Sequence, residues 1–361
     1  MAEQKLKVAI IGAGNIAQNA HLPTYKDIPD VEIVAIADWN LERAQEAAKK
    51  FGIPNAFASC EEAFALPGLD IADICVWNKS HAPVAIAAAK RGLHILCEKP
   101  MAWDMNDAYA MEAAIKESGK VFVLGVMNRY RKDVQLLKEM ANAGKFGDIY
   151  YGKAIYLRRR GTPLGWFTDT QKSGGGPVID IGVHCIDRTW YLMGCPRPVR
   201  VSASTSYRIG DYQTKGVSRW VALDSDVTAF DTEDSASGVI HFENGASMLF
   251  EVSWAINLPN EEVSFIAGTK AGAKLGSPME DKPVAVYGED CGFLTDNEPY
   301  IEKSPFFGFG GDNPFKTEIL ELVNCIRTGK KPISPLEDAL GIERILMGIY
   351  ESAKAGKEIT L

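Results

Sequence analysis

Along the first third of the chain, the apolar positions fall into short solid runs separated by amphipathic stretches. KVAIIGAG (7–14) is an apolar run ending in glycines, and residues 15–28 have room for a helix. VEIVAIAD (31–38) is a second run, followed by the helical pattern LERAQEAAKKFG (41–52), closed by Gly52. DIADICVW (70–77), the alanine-rich HAPVAIAAAKRG (81–92), HILCEKP (94–100), a helix near 104–118 and VFVLGVM (121–127) continue the alternation. Strands apolar on both alternating sets, with helices between them, predict a parallel sheet covered on both faces. The expected fold class is therefore α/β, with a doubly wound Rossmann-type domain over residues 1–127.

The pattern changes beyond residue 127. DIYYGKAIYLRRR (148–160), PVRVSASTSY (198–207), SASGVIHF (235–242), ASMLFEVSWAI (246–256) and EVSFIAG (262–268) are strand-like, with few helices between them. Asn244-Gly245 in HFENGASM is a hairpin signal. The second domain, 128–361, is expected to be α+β, built on a mainly antiparallel sheet. Residues 314–328 and 336–354 read as helices around Pro332 and Pro335, and are candidates to pack back on the first domain.

Composition narrows the classes. At 361 residues, with 46% apolar and 24% charged, the chain can form two cores of an ordinary globular protein. A net charge of -8 without a basic block argues against a nucleic-acid partner. The opening MAEQKLKVAIIGAG lacks the apolar length and cleavage site of a signal peptide. No stretch reaches the roughly 18 apolar residues of a membrane span. The seven cysteines are scattered, odd in number and without a C-x-x-C, so a cytoplasmic, reducing setting and no metal are expected.

GAGNIA (12–17) is G-x-G-x-x-A between a strand and a helix. Gly12 and Gly14 suit a tight turn approached by a pyrophosphate, with Asn15 and Ile16 opening the helix whose free N–H groups would face it. Such a motif alone also fits any strand–helix turn needing small residues. Asp38, at the end of the second run, suits the adenosine ribose hydroxyls and repels a 2′-phosphate. Trp39 and Asn40 follow it, with no adjacent arginine or lysine, so NAD is favoured over NADP; a helix cap is the plainer role for Asp38. WNKSH (77–81) and CEKP (97–100) lie at carboxyl ends of strands, where ligands bind in such sheets. Asn78, His81, Glu98 and Lys99 are thus candidate cofactor contacts, although His81 also reads as a helix start facing water.

SGGGPVIDIGVHCID (173–187) leads three glycines into Asp180 and, one helical turn later, His184. Residues i and i+4 share a helix face. Histidine suits a general base near neutral pH, and a lysine suits charge stabilisation of an alkoxide-like oxygen. Glycines 174–176 read as a loop allowing close approach of a substrate or nicotinamide. Arg158, Arg159 and Arg160 end a strand, where one or two could bind substrate or all could be solvated; Trp166 could stack on a sugar ring or simply pack. Asn128 and Arg129 suit cofactor and substrate contacts respectively, or packing at a hinge.

With G-x-G-x-x-A, E-K-P and G-G-G-x-x-x-D-x-G-x-H in that order, with GVMNRYR (125–131) and GKKPISPLEDAL (329–340), the chain resembles the Gfo/Idh/MocA family over nearly its whole length. That resemblance implies a Rossmann domain followed by an open, mainly antiparallel sheet domain. It further implies NAD- or NADP-dependent chemistry on a ring hydroxyl or ketone of a sugar, sugar derivative or cyclitol. Lys99, Asp180 and His184 are then the catalytic residues, Glu98 a contact on the nicotinamide side, and the Lys99–Pro100 peptide a candidate for cis. Relatives imply a homodimer or homotetramer through the C-terminal sheet. An NAD-dependent glycoside hydrolase with a transient redox cycle, and a non-catalytic dinucleotide-dependent regulator, are the alternatives.

Overall fold

The computed structural model describes residues 4–223, 229–300 and 313–361, and the chain divides into two units. The first takes in the chain up to Met127 together with the segment that ends at Leu340; the second begins at Asn128 and includes Gly341–Leu361.

In the first unit the apolar runs form β1 (Leu6–Ile11), β2 (Val31–Ala37), β3 (Asn55–Phe57), β4 (Ile71–Ile74), β5 (His94–Glu98) and β6 (Phe122–Gly125). They form one parallel sheet in the order β3-β2-β1-β4-β5-β6, the doubly wound arrangement. Helix ends follow local chemistry. Asn40 accepts from Arg43 N to start the helix Leu41–Phe51, and Gly52 closes it in the left-handed conformation. The alanine-rich helix begins at Asn78 rather than residue 81, with Trp77 as its N-cap. The late helix Pro314–Thr328 contributes Ile319, Leu322 and Val323 to the core that holds Val8, Ile10 and Leu96. Ser334 Oγ donates to Leu124 O at 2.8 Å, tying the following loop to β6.

The second unit holds β7 (Ile149–Leu157), β8 (Pro198–Ser206), β9 (Ser235–Phe242), β10 (Ser247–Ser253), β11 (Glu261–Gly268), β12 (Gly272–Leu275), β13 (Val284–Asp290), β14 (Phe293–Asn297) and β15 (Ile359–Thr360). They form a nine-stranded sheet, β14-β13-β12-β11-β7-β10-β9-β8-β15, in which only β7–β10 is parallel. The expected hairpin joins β9 to β10, with Gly245 at φ +83°. Four strands of this unit, β12 to β15, and β3 of the first were missing from the sequence reading; they are short or polar and carry little periodic signal. One sheet face packs against the helix Val183–Leu192. There an added Cβ at Gly152 would lie 2.6 Å from Met193 Sδ, so the helix sits directly on β7. No helix among the described residues is long and apolar enough to cross a membrane.

Candidate active site

Gly12 has φ +102°, and an added Cβ would sit 2.4 Å from Cys75 O, so only glycine fits between β1 and β4. Around Gly14, by contrast, an added Cβ would meet nothing within 4 Å. That open side of the turn is what a pyrophosphate needs. Asn15 starts the helical turns, which pass through a π-turn at Ala17–His21 before Leu22–Tyr25. The Ile16 side chain packs on the core, leaving its main chain for a ligand. Asp38 Oδ2 accepts from Ala13 N and its Oδ1 from Asn40 N, both at 2.8 Å, so the carboxylate braces the glycine loop.

Arg43 corrects the sequence reading. No basic residue follows Asp38 directly, but the first turn of Leu41–Phe51 brings Arg43 Nη1 to 3.7 Å from Asp38 Oδ2. Its guanidinium lies 5.7 Å from the centroid of the exposed Trp39 ring. The loop, the open side of Gly14 and the Asp38 carboxylate fit a dinucleotide.

His81 is a further correction. It is fully buried, with Nδ1 2.6 Å from Pro100 O and Nε2 3.1 Å from Val76 O. Burial lowers its pKa, and it braces two loops through their main-chain carbonyls, so it is not the water-facing residue of the plainer reading. Asn78 opens its helix and is largely buried. Glu98 ends β5, the half-buried Lys99 follows it, and the Lys99–Pro100 peptide is cis. Glu98 Oε2 accepts from Lys99 N at 3.3 Å and Oε1 lies 3.0 Å from His21 Nε2. Burial is the largest single influence and opposes the Glu98 charge, but the hydrogen bond and charge of His21, with the charge of Lys99, together hold the carboxyl below its usual range.

In the second unit the glycine run precedes a π-turn, Val178–Gly182, that carries Asp180; His184 follows in the first turn of Val183–Leu192. The single α-helix expected across both residues is thus a π-turn running into an α-helix, a feature frequent at functional sites. Asp180 Oδ2 accepts from Trp254 Nε1 at 2.9 Å. Trp254 is fully buried just beyond β10, and the sequence reading missed it as a partner of Asp180.

Of the three arginines, Arg158 lies in the field of Asp180. Burial opposes its charge, but Asp180 and Tyr156 raise its pKa. Arg158 Nη2 donates to Tyr156 Oη at 3.2 Å, and its guanidinium lies 5.1 Å from that ring centroid. Arg160 donates to Ile256 O and Asn257 Oδ1, while Arg159 is exposed and its main-chain N–H donates to Asn260.

Glycines 175 and 176 have a different cause from the one expected. An added Cβ at Gly175 would lie 2.0 Å from Tyr350 Oη, and at Gly176 2.3 Å from Glu233 O. The close approach is to the protein itself. Glu233 Oε2 accepts from Gly176 N at 2.9 Å, and Oε1 from Val178 N at 3.2 Å and Tyr350 Oη at 2.8 Å. A buried carboxylate therefore fixes the turn that presents Asp180; burial pushes its pKa up, against those hydrogen bonds.

Arg129 is also reassigned. It is 1% exposed, and its guanidinium grips Asp187, with Nε–Oδ2 at 2.9 Å and Nη2–Oδ1 at 2.7 Å. It is a structural ion pair, not a substrate ligand. Asn128 is 9% exposed, and its main-chain carbonyl accepts from Arg131 N. Trp166 stacks on Phe167 at 4.0 Å between centroids, and Phe167 meets Trp220 edge-on.

Residues 6–126 match the Gfo/Idh/MocA family described as an oxidoreductase family with an NAD-binding Rossmann fold, and residues 134–274 match a Gfo/Idh/MocA C-terminal domain. D-glucoside 3-dehydrogenase of Escherichia coli (strain K12) is 31% identical over 100% of this chain and 99% of its own length. Levoglucosan dehydrogenase of Pseudarthrobacter phenanthrenivorans is 29% identical, covering 97% of this chain and 96% of that one. A levoglucosan dehydrogenase solved with NADH superposes with TM-score 0.86 at 26% identity, covering 99% of each chain. The chain belongs to the Gfo/Idh/MocA family and is an NAD-binding oxidoreductase.

Proposed function

We propose that this protein is an NAD-dependent dehydrogenase that oxidises a ring hydroxyl of a sugar, sugar derivative or cyclitol, or reduces the matching ketone. The observation that carries this reading is the fixed Asp180: Trp254 holds one of its oxygens, Arg158 lies in its field, and Glu233 anchors its turn. A carboxylate so placed beside His184 suits orientation of a hydroxyl-bearing ring. The names of three relatives support the substrate class: D-glucoside 3-dehydrogenase, levoglucosan dehydrogenase and scyllo-inositol 2-dehydrogenase.

Bound NAD supplies the hydride acceptor. His184 takes the hydroxyl proton as general base, worth about 10²–10⁴ in rate. The Lys99 ammonium steadies the negative charge developing on that oxygen. Asp180 orients the base or a neighbouring hydroxyl, and Arg158 is the arginine assigned to substrate. Glu98 and Asn78 are assigned to the nicotinamide half of the cofactor. Asn128 and Trp166, both packed against their neighbours, are assigned cofactor and substrate contacts only through their accessible edges.

Purified protein with NAD and a panel of sugars, glycosides and cyclitols is the test. Substrate-dependent NADH appearance supports the reading. Sugar release without net NADH would replace it with the hydrolytic one.

The outer sheet face carries Leu249, 37% exposed, and the half-buried Phe265, over the buried Ile155 and Val263. We assign that apolar face to homo-oligomer formation, checked by light scattering on Leu249→Lys.

A further inference from the structure

In the first unit, His21 is fully buried between two carboxylates. Its Nδ1 lies 2.8 Å from Asp73 Oδ2 and its Nε2 3.0 Å from Glu98 Oε1. Both neighbours are acceptors, so both ring nitrogens carry hydrogen and the ring is an imidazolium. Burial is the largest single influence and opposes that charge, but the charge and hydrogen bond of Asp73, together with Cys75, keep the pKa well above an ordinary imidazole.

Lys99 is the cation next to Glu98, whereas the buried acid, thiol and phenol around this chain of charges are neutral. Glu318, from the helix Pro314–Thr328, is completely buried with neither carboxyl oxygen hydrogen-bonded. Burial and then the charge of Glu98 push its pKa well up. Burial pushes the Cys75 thiol up to about 12 and also raises Tyr25. The sum over Asp73, His21 and Glu98 is one negative charge, and its outermost member is Glu98, directly before Lys99. His21 and Asp73 with Cys75 have the spacing of a metal group, but both imidazole nitrogens are already engaged by carboxylates.

In a doubly wound sheet the two mononucleotide halves bind on either side of the switch point. Asp38 at the end of β2 marks the adenosine side, which leaves the ends of β4 and β5 to the nicotinamide. We propose that His21 is a positioning residue that keeps Glu98 as a fixed carboxylate beside the nicotinamide, and so biases the bound couple toward its oxidised, positively charged form. The inference rests on the dinucleotide reading and deepens it. A fixed negative charge stabilises the oxidised ring and not the neutral dihydro ring, which shifts the bound couple without touching substrate.

The test compares dissociation constants for NAD⁺ and NADH, by NADH fluorescence titration and competition, in the wild type, His21→Gln and Glu98→Gln. Both variants are expected to raise Kd(NAD⁺)/Kd(NADH) about tenfold, from loss of one nearby charge. In His21→Gln the buried Glu98 loses the imidazolium, protonates more readily and ionises again as pH rises, so its ratio returns toward wild type at higher pH. In Glu98→Gln the ratio stays raised at every pH. If the His21 site does not tolerate Gln, Glu98→Gln carries the same prediction with its shape kept. Equal weakening of both nucleotides, or an unchanged ratio, overturns the proposal while leaving the dinucleotide reading intact. A wild-type chain that binds neither nucleotide overturns both.

Discussion

Arg43 shows how a single helical turn changes the chemistry of a position five residues away. It reaches Asp38 from one side and Trp39 from another. Asp38→Ser removes the carboxylate that repels a 2′-phosphate and releases the guanidinium to meet one. The expected outcome is a fall of about tenfold or more in the preference for NAD over NADP, read from kcat/KM for each. Adding Arg43→Ala should take back the gain with NADP. His184→Ala tests a different atom. It should lower kcat about 10²–10⁴-fold while the Kd for NADH, measured by fluorescence, stays near wild type, because the glycine loop and Asp38 are untouched. Asp38 and the glycine loop were legible from sequence because their signals are local. Arg129 misled because a polar residue after a strand looks available, whereas here it is buried against Asp187.

At the scale of elements, each unit places a glycine-rich turn before a π-turn: Ala17–His21 carries His21, and Val178–Gly182 carries Asp180. A π-turn widens the helix and re-aims its side chains, and no apolar periodicity announces it. The long strands and the amphipathic helices were readable for the opposite reason, because their spacing repeats. Glu233, Tyr350 and Trp254 were invisible, since each meets its partner across a long stretch of chain. Gly176→Ala should destabilise the protein by about 1–3 kcal/mol, since backbone rather than a flexible side chain must move. Urea midpoints read that change. Glu233→Ala leaves two main-chain donors and a hydroxyl without their acceptor; kcat should fall at constant NADH affinity, because only the second unit is affected. Wild-type kcat in Glu233→Ala would remove the anchoring role.

For the whole molecule, ligand and pH are the levers. NADH at about 100 times its Kd should add about 2.7 kcal/mol to stability if it binds only the folded state, seen as a rise in Tm. The Glu98–His21 pair sets a pH window. Glu98 has a lowered pKa, so its contribution is present above an ordinary glutamate's value and lost as pH falls through the folded one. His21 has a raised pKa, so its contribution is full below about 6.5 and lost as pH rises through its folded value. Chemical denaturation should therefore show Glu98→Gln losing less stability than wild type between neutral and acidic pH. The doubly wound and antiparallel classes were legible from the order of patterns along the chain. The route by which a late segment completes the first sheet was open in the sequence, because an amphipathic helix records that it is covered and not by what.

That route bears on how the chain is made. Ile319, Leu322 and Val323 lie in one core with Val8 and Ile10. A ribosome delivers the N-terminal strands long before their covering helix. Until Pro314–Thr328 emerges, the apolar surface it covers beside β5 and β6 is bare, and Glu318 is missing from beside His21. The nascent Rossmann unit must therefore wait, partly open and exposed to aggregation or chaperone binding, while the whole intervening sheet is synthesised. Limited proteolysis of stalled chains ending before and after residue 328 should show protection of the N-terminal strands only in the longer one.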